Sequence, residues 1–174
     1  MLSRAKILAA LLLFGAVLAR ADSPLDSKAK VVALIFISSE CPISNKMAPE
    51  IERLHQKFST NGASVVLVYP NKSDTDQLIK AHRKDYRLTA PYVRDVDHAL
   101  VKKAMATITP EAAVFDANRN EVYRGRINDQ FLAIGKGRPQ ANVHDLESAI
   151  EAALAGRRPE KMFIEAVGCY IQDQ

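Results

Sequence analysis

The sequence predicts an α/β domain built on a central mixed β-sheet flanked by helices, and three observations predict it. Residues 31–37 (VVALIFI) form a continuous apolar run rich in β-branched side chains, the pattern of a strand covered on both faces. Met47, Ile51, Leu54 and Phe58 then recur at helical spacing and lay one apolar stripe along a helix. After the Asn61-Gly62 turn, residues 63–69 (ASVVLVY) read as a second strand, so the three pieces make a βαβ unit with a right-handed crossover. Further along, Asp116-Ala117-Asn118-Arg119-Asn120 supplies turn residues between residues 112–115 and 121–127, which predicts an antiparallel hairpin and makes the sheet mixed.

Taken in order, the chain opens with Arg4 and Lys6, an apolar run over residues 7–18 and the small-residue pattern Ala19-Arg20-Ala21, which reads as a secretory signal peptide over residues 1–21. The run is short for a bilayer span of roughly 20 residues, although an uncleaved anchor is the alternative; no later stretch reaches that length. Export would make the mature protein periplasmic or secreted if the source is bacterial. The formal charge of +4 falls to about +1 once Arg4, Lys6 and Arg20 are removed, and no basic stripe suggests nucleic acid. Residues 22–159 are the size of one domain, and residues 160–174 form a tail. Residues 22–30 read as a loose lead-in. Asp74 is the predicted cap of a helix carrying Leu78, Ile79, His82 and Tyr86. A short strand follows at residues 91–93, then a short helix over 97–105. Residues 128–140 read as a long loop. Asn142 opens a helix with Val143, Leu146, Ile150 and Leu154 on one face, and Gly156 ends it.

Chemistry concentrates where the first strand meets the first helix, at Ser39-Glu40-Cys41-Pro42. Unpaired N–H groups and a partial positive charge at a helix N-terminus favour thiolate over thiol, so Cys41 is the candidate nucleophile. Pro42 suits a first helical turn, whereas Pro49 inside the helix predicts a kink near residues 45–48. Ser44 either extends the helix or donates a hydrogen bond to the thiolate. The second cysteine, Cys169, lies in the tail with Phe163, Ile164, Val167 and Ile171, too apolar to float free and expected to cover the edge around Cys41. Two cysteines in an exported chain imply one disulfide, either a redox pair or a staple stabilising by roughly 4 to 5 kcal/mol in the chain-entropy model.

Cys41-Pro42-Ile43-Ser44 followed by Lys46-Met47-Ala48-Pro49 resembles the active-site helix of the thioredoxin superfamily, with Ser44 where a second cysteine would stand. Together with Thr109-Pro110-Glu111, the run from Tyr123 through Gln130 (YRGRINDQ) and Gly168-Cys169, the chain is similar to the redoxin group of the alkyl hydroperoxide reductase/thiol-specific antioxidant (peroxiredoxin-like) proteins. That resemblance implies a thioredoxin-like fold, with Pro110 in cis facing Cys41 and the Thr109 backbone offered to substrate. It also places Ser38 at the hydroxyl position of the peroxiredoxin T-x-x-C motif, as a stabiliser of the thiolate. Leu34 stands where that motif has proline, and no arginine flanks Pro110.

The function these readings give is an exported thiol-disulfide oxidoreductase, with Cys41 attacking a protein disulfide or oxidised thiol, Cys169 resolving, and an external thiol reductant resetting the pair. A peroxiredoxin-like antioxidant peroxidase using Cys41 is the alternative within the same fold. A redox-inert binding domain with a structural disulfide is the alternative outside enzymes. His55, His82, His98 and His144 are scattered without ligand spacing, so neither a metal nor a cofactor is expected. Arg124 and Arg126 alternate along a strand and read as solvated charges or as partners of Asp129.

Overall fold

The structure, a computed structural model, describes residues 23–172; the signal-peptide reading falls outside them. Strand β1 (Val31–Phe36) runs beside β2 (Ala63–Tyr69), and β2 beside β3 (Tyr92–Arg94), all parallel. On its other side β1 pairs antiparallel with β5 (Glu111–Phe115), which turns into β6 (Glu121–Gly125). The tail contributes β9 (Phe163–Ile164), parallel to β6, and the sheet order is β3-β2-β1-β5-β6-β9. The sheet thus has six strands rather than the four or five legible in the apolar runs, because the sixth is only two residues long and carries no periodicity.

Every residue of β1 is buried, and its side chains alternate between two cores. Val31, Ala33 and Ile35 pack with Met47, Ile51, Leu54 and Phe58 of α1 (Pro42–Phe58), Ile79 of α2 (Asp76–Asp85), and Leu146 and Ile150 of α4 (Asp145–Leu154). Val32, Leu34 and Phe36 face the opposite layer, formed by Leu100, Val101 and Ala104 of α3 (Ala99–Ala104) and by Ile171 of the tail. Burying each such aliphatic side chain contributes roughly 1.5–3 kcal/mol, so β1 is the energetic centre and fixes the height at which Cys41 emerges.

Several local expectations give way to specific contacts. The lead-in is a capped turn at Pro24–Asp26, held by the Arg119 guanidinium donating to the carbonyls of Leu25, Ser27 and Ala29. Thr75, not Asp74, caps α2, because its hydroxyl accepts from the Leu78 amide while Asp74 is drawn inward. On α2 only Ile79 and His82 are buried, and Leu78 and Tyr86 are exposed. Helix α4 starts after His144; Asn142 and Val143 instead donate their amides to the Asp129 carboxylate. Asp129 pairs with Arg138, whereas Arg126 pairs with Asp145 and Arg124 donates to the carbonyl of Met105. The supposed loop at residues 128–140 contains a hairpin, β7 (Phe131–Ala133) and β8 (Lys136–Gly137). Among the described residues no helix is long and apolar enough to cross a membrane.

Candidate redox site

Cys41 is the N-cap of α1, with Pro42 in its first turn, and the helix runs on through Pro49. Opposite it, the Thr109–Pro110 peptide bond is cis. The Cys41 thiol donates to the Thr109 carbonyl at 3.0 Å, which ties the helix N-terminus to the loop between β4 (Ile108–Thr109) and β5. Glu111, buried at the start of β5, accepts the amides of Thr107 and Ile108 and so fixes that loop from beneath.

The tail closes over this junction. Strand β10 (Cys169–Tyr170) pairs antiparallel with β4, Cys169 opposite Thr109 and Tyr170 opposite Ile108. Two further bonds, Ile171 amide to Thr107 carbonyl and Gln172 amide to Asn71 Oδ1, both 3.0 Å, extend the clamp. Gly168 makes the approach possible: a Cβ there would lie 2.1 Å from the Thr109 carbonyl oxygen. The result is two free thiols whose sulfurs are 2.8 Å apart, Cys41 buried at 2% exposure and Cys169 exposed.

Their electrostatics are opposed. Burial resists ionisation of Cys41, but the Cys169 thiol first, then the Ser44 amide and the nearby Ser44 and Thr109 side chains, outweigh it and hold its pKa below the ordinary thiol value. For Cys169, burial and the neighbouring Cys41 sulfur push the pKa up to about 11. Of the two sulfurs Cys41 is therefore the more acidic, and Cys169 the one that keeps its proton to higher pH.

The other predicted residues sort by distance from the sulfur. Ser44 is buried, and its hydroxyl has no completed hydrogen bond among the described residues. The Ser38 hydroxyl accepts the Glu40 amide at 3.4 Å and its carbonyl accepts the Cys41 amide, so it shapes the turn leading to the cysteine. In the tail, Phe163 and Ile164 pair with β6 rather than cover Cys41, because the Arg124 guanidinium lies over the Phe163 ring and Gly125 admits the Ile164 backbone. Ile171 is buried in the second core, and Val167 lies in the small cleft beside Pro110, Ile43 and Met47.

A family model described as the AhpC/TSA family matches residues 22–124. The chain belongs to the AhpC/TSA family. No curated protein matches it. Among solved structures, this AhpC/TSA chain is similar to a hypothetical protein from Sinorhizobium meliloti 1021, with 25% identity, TM-score 0.73, and coverage of 83% of this chain and 80% of that one. An uncharacterised conserved protein from Geobacillus kaustophilus gives 24% identity, TM-score 0.73, and coverage of 86% and 80%. A secreted Mycobacterium tuberculosis disulfide oxidoreductase homologous to E. coli DsbE shares the thioredoxin-like fold at 14% identity and TM-score 0.50, over 73% of this chain and 81% of that one.

Sequence reasoning missed the polar layer behind the AhpC/TSA cysteine. Asp74 is fully buried and accepts both the amide and the hydroxyl of Ser39, two residues before Cys41. Asn45 donates to the Ser39 carbonyl at 3.2 Å and accepts from His82 Nε2 at 2.9 Å, which leaves His82 Nδ1 to accept the Tyr69 hydroxyl at 2.8 Å. Burial lowers the His82 pKa and keeps the ring neutral, as this arrangement requires. An aspartate after Pro70-Asn71-Lys72-Ser73 looks like a cap in sequence, and nothing local marks it as buried. Elsewhere, Glu50, His144 and Glu147 lie close enough to share a cation, but Arg53 and Lys57 already occupy these carboxylates.

Proposed function

We propose that this chain is an exported thiol-disulfide oxidoreductase in which Cys41 attacks and Cys169 resolves. The observation that carries the reading is the pair of thiols 2.8 Å apart with oppositely displaced acidities. The Cys41 thiolate attacks one sulfur of a substrate disulfide, forming a mixed disulfide and expelling the other sulfur as thiolate. Cys169 then loses its proton and attacks the Cys41 sulfur, releasing the second substrate thiol and leaving Cys41–Cys169 oxidised. The substrate gains two electrons, and an external thiol reductant returns the pair to the dithiol.

The tail has a second consequence for this cycle. Thr109 offers a backbone edge of the kind an extended peptide pairs with, and Cys169 occupies that edge. Substrate therefore reaches Cys41 only when the strand at residues 169–170 lifts. Family membership by itself supports peroxide as the oxidant, as in the antioxidant alternative. Disulfide exchange is better supported by the site, since among the described residues no arginine hydrogen-bonds to Cys41, and Arg126, near Pro110, is engaged by Asp145.

Insulin-disulfide reduction and peroxide consumption, measured side by side, test the proposal. Turnover of insulin that is abolished in Cys41→Ser, with a mixed disulfide trapped by Cys169→Ser, is the expected result. Peroxide consumption at a higher kcat/KM than insulin reduction selects the peroxidase. Absence of both activities in the wild type leaves the inert binding domain, and their retention in Cys41→Ser would overturn Cys41 as the attacker.

A further inference from the structure

We infer that the oxidised pair is reset from the tail side: the reductant attacks Cys169, and it does so through an acidic, partly apolar segment carrying its own cysteines. This rests on Cys41 and Cys169 forming the redox pair, and concerns which sulfur the reductant meets and what surrounds it.

Access decides the first half. Cys41 is 2% exposed beneath the tail, whereas Cys169 is exposed and lines a cleft of about 720 Å³. An incoming thiolate must approach the attacked sulfur from the side opposite the leaving sulfur. Protein covers Cys41, but Cys169 can be reached from this cleft. The leaving group agrees, because the more acidic thiol departs faster, and Cys41 is the more acidic. In the step, the reductant's first thiolate bonds to Cys169 Sγ, the Cys169–Cys41 bond breaks, and Cys41 leaves as thiolate. The reductant's second thiolate then attacks its own sulfur in the mixed disulfide. Cys169 departs and takes up a proton, and the reductant leaves as a disulfide, two electrons poorer.

The cleft decides the second half. Its floor is Ile43, in the first turn of α1, and its far wall is the β7–β8 hairpin, which offers Phe131 and, at the tip, Ile134 at 79% exposure. Lys46, Lys136 and Arg138 line it, and none of its lining residues is acidic. Arg138 is already paired with Asp129, while Lys46 and Lys136 are exposed and make no ion pair among the described residues. A protein segment placing carboxylates beside its cysteine and an apolar side chain against Ile134 complements both features. Substrate enters under the tail along Thr109, and the reductant docks over it, so the two half-reactions use different surfaces.

The test starts from full-length oxidised protein, its internal disulfide verified by the loss of two hydrogens in mass. Failure to form that disulfide would overturn the redox-pair reading, and this inference with it. Two synthetic cysteine peptides, each with a leucine near the cysteine, are then added in turn, alike except that glutamates flank the cysteine in one and lysines in the other. Each reaction is quenched with N-ethylmaleimide and mapped. The expected product carries the peptide on Cys169 and maleimide on Cys41; the reverse pattern, with the disulfide intact beforehand, overturns the inference alone. Lys46→Glu combined with Lys136→Glu should slow the acidic peptide by about tenfold at low salt and speed the basic one. An equal change for both peptides would remove the charge argument. Ile134→Ser should slow the acidic peptide and leave mercaptoethanesulfonate, an anionic thiol without an apolar group, unaffected. Equal slowing of both, or equal rates for the two thiols on the wild type, would overturn the protein-segment assignment.

Discussion

Replacing Cys169 with alanine should raise the pKa of Cys41, and the structure gives the size. Cys169 supplies the leading hydrogen bond that opposes the burial of Cys41, at a sulfur separation of 2.8 Å. Hydrogen bonds to charged groups contribute about 1.5–3 kcal/mol, and a thiol is a weak donor, so the low end applies. At about 1.4 kcal/mol per pH unit, the midpoint moves up by about one pH unit. Removing a side chain also lets water nearer to Cys41, which acts the other way. The backbone of residue 169 still covers Thr109, so the lost hydrogen bond dominates. Iodoacetamide alkylation rate against pH, with wild type, Cys169→Ala and Cys169→Ser compared, reads the effect. Serine keeps a donor and should fall between the other two. Stability gives a second readout: Cys41 has a depressed folded pKa, so reduced wild type gains stability as pH rises from that value towards the ordinary 9.0, and loses it as pH falls. Cys169, displaced upward, reverses the trend between 9.0 and about 11. An unchanged or lower midpoint in Cys169→Ala would refute the assignment of Cys169 as the donor.

Gly168→Ala should lift the tail, since its Cβ would collide with the Thr109 carbonyl; Cys41 alkylation should accelerate several-fold and the internal disulfide form more slowly, as read by mass spectrometry. Gly125→Ala should detach β9 at a cost of about 1–3 kcal/mol by denaturant melts, because residue 125 has a φ of 138° and its Cβ would lie 1.8 Å from the Ile164 carbonyl oxygen. Asp74→Ala should cost about 1–3 kcal/mol and move the alkylation midpoint of Cys41, as the Ser39 amide and hydroxyl lose their buried acceptor; an unmoved midpoint would make Asp74 purely structural. Glu147 is held at about 2 by Arg53 and Lys57, so its contribution is present above about 4.5 and is lost as pH falls towards 2. The pairs are partly solvated, so Glu147→Gln should cost about 1 kcal/mol at pH 7 and almost nothing near pH 2 in thermal melts.

The strand-helix junction at Cys41 was legible because its signals are local. An unbroken apolar run, a helical stripe and a first-turn proline each declare themselves within a few residues. The turn at Asp116 and the stop at Gly156 are of the same kind, set by backbone conformations that few residues favour. Those signals determine the α/β class, the mixed sheet and the height of Cys41 above it. Tertiary structure decided what depends on residues far apart. Asp74 looked like a cap and became the buried acceptor for Ser39; a two-residue strand at Phe163–Ile164 joined the sheet because Gly125 left room for its backbone. Cys169 lies 128 residues from Cys41, and although the count of two cysteines suggested a pair, no periodicity shows how they meet. What brings them together is backbone pairing between β10 and β4, a close approach that Gly168 permits and Ile171 anchors in the second core. Pairing of this kind uses N–H and C=O groups common to all residues, so composition cannot encode it, and only the packed chain selects its register.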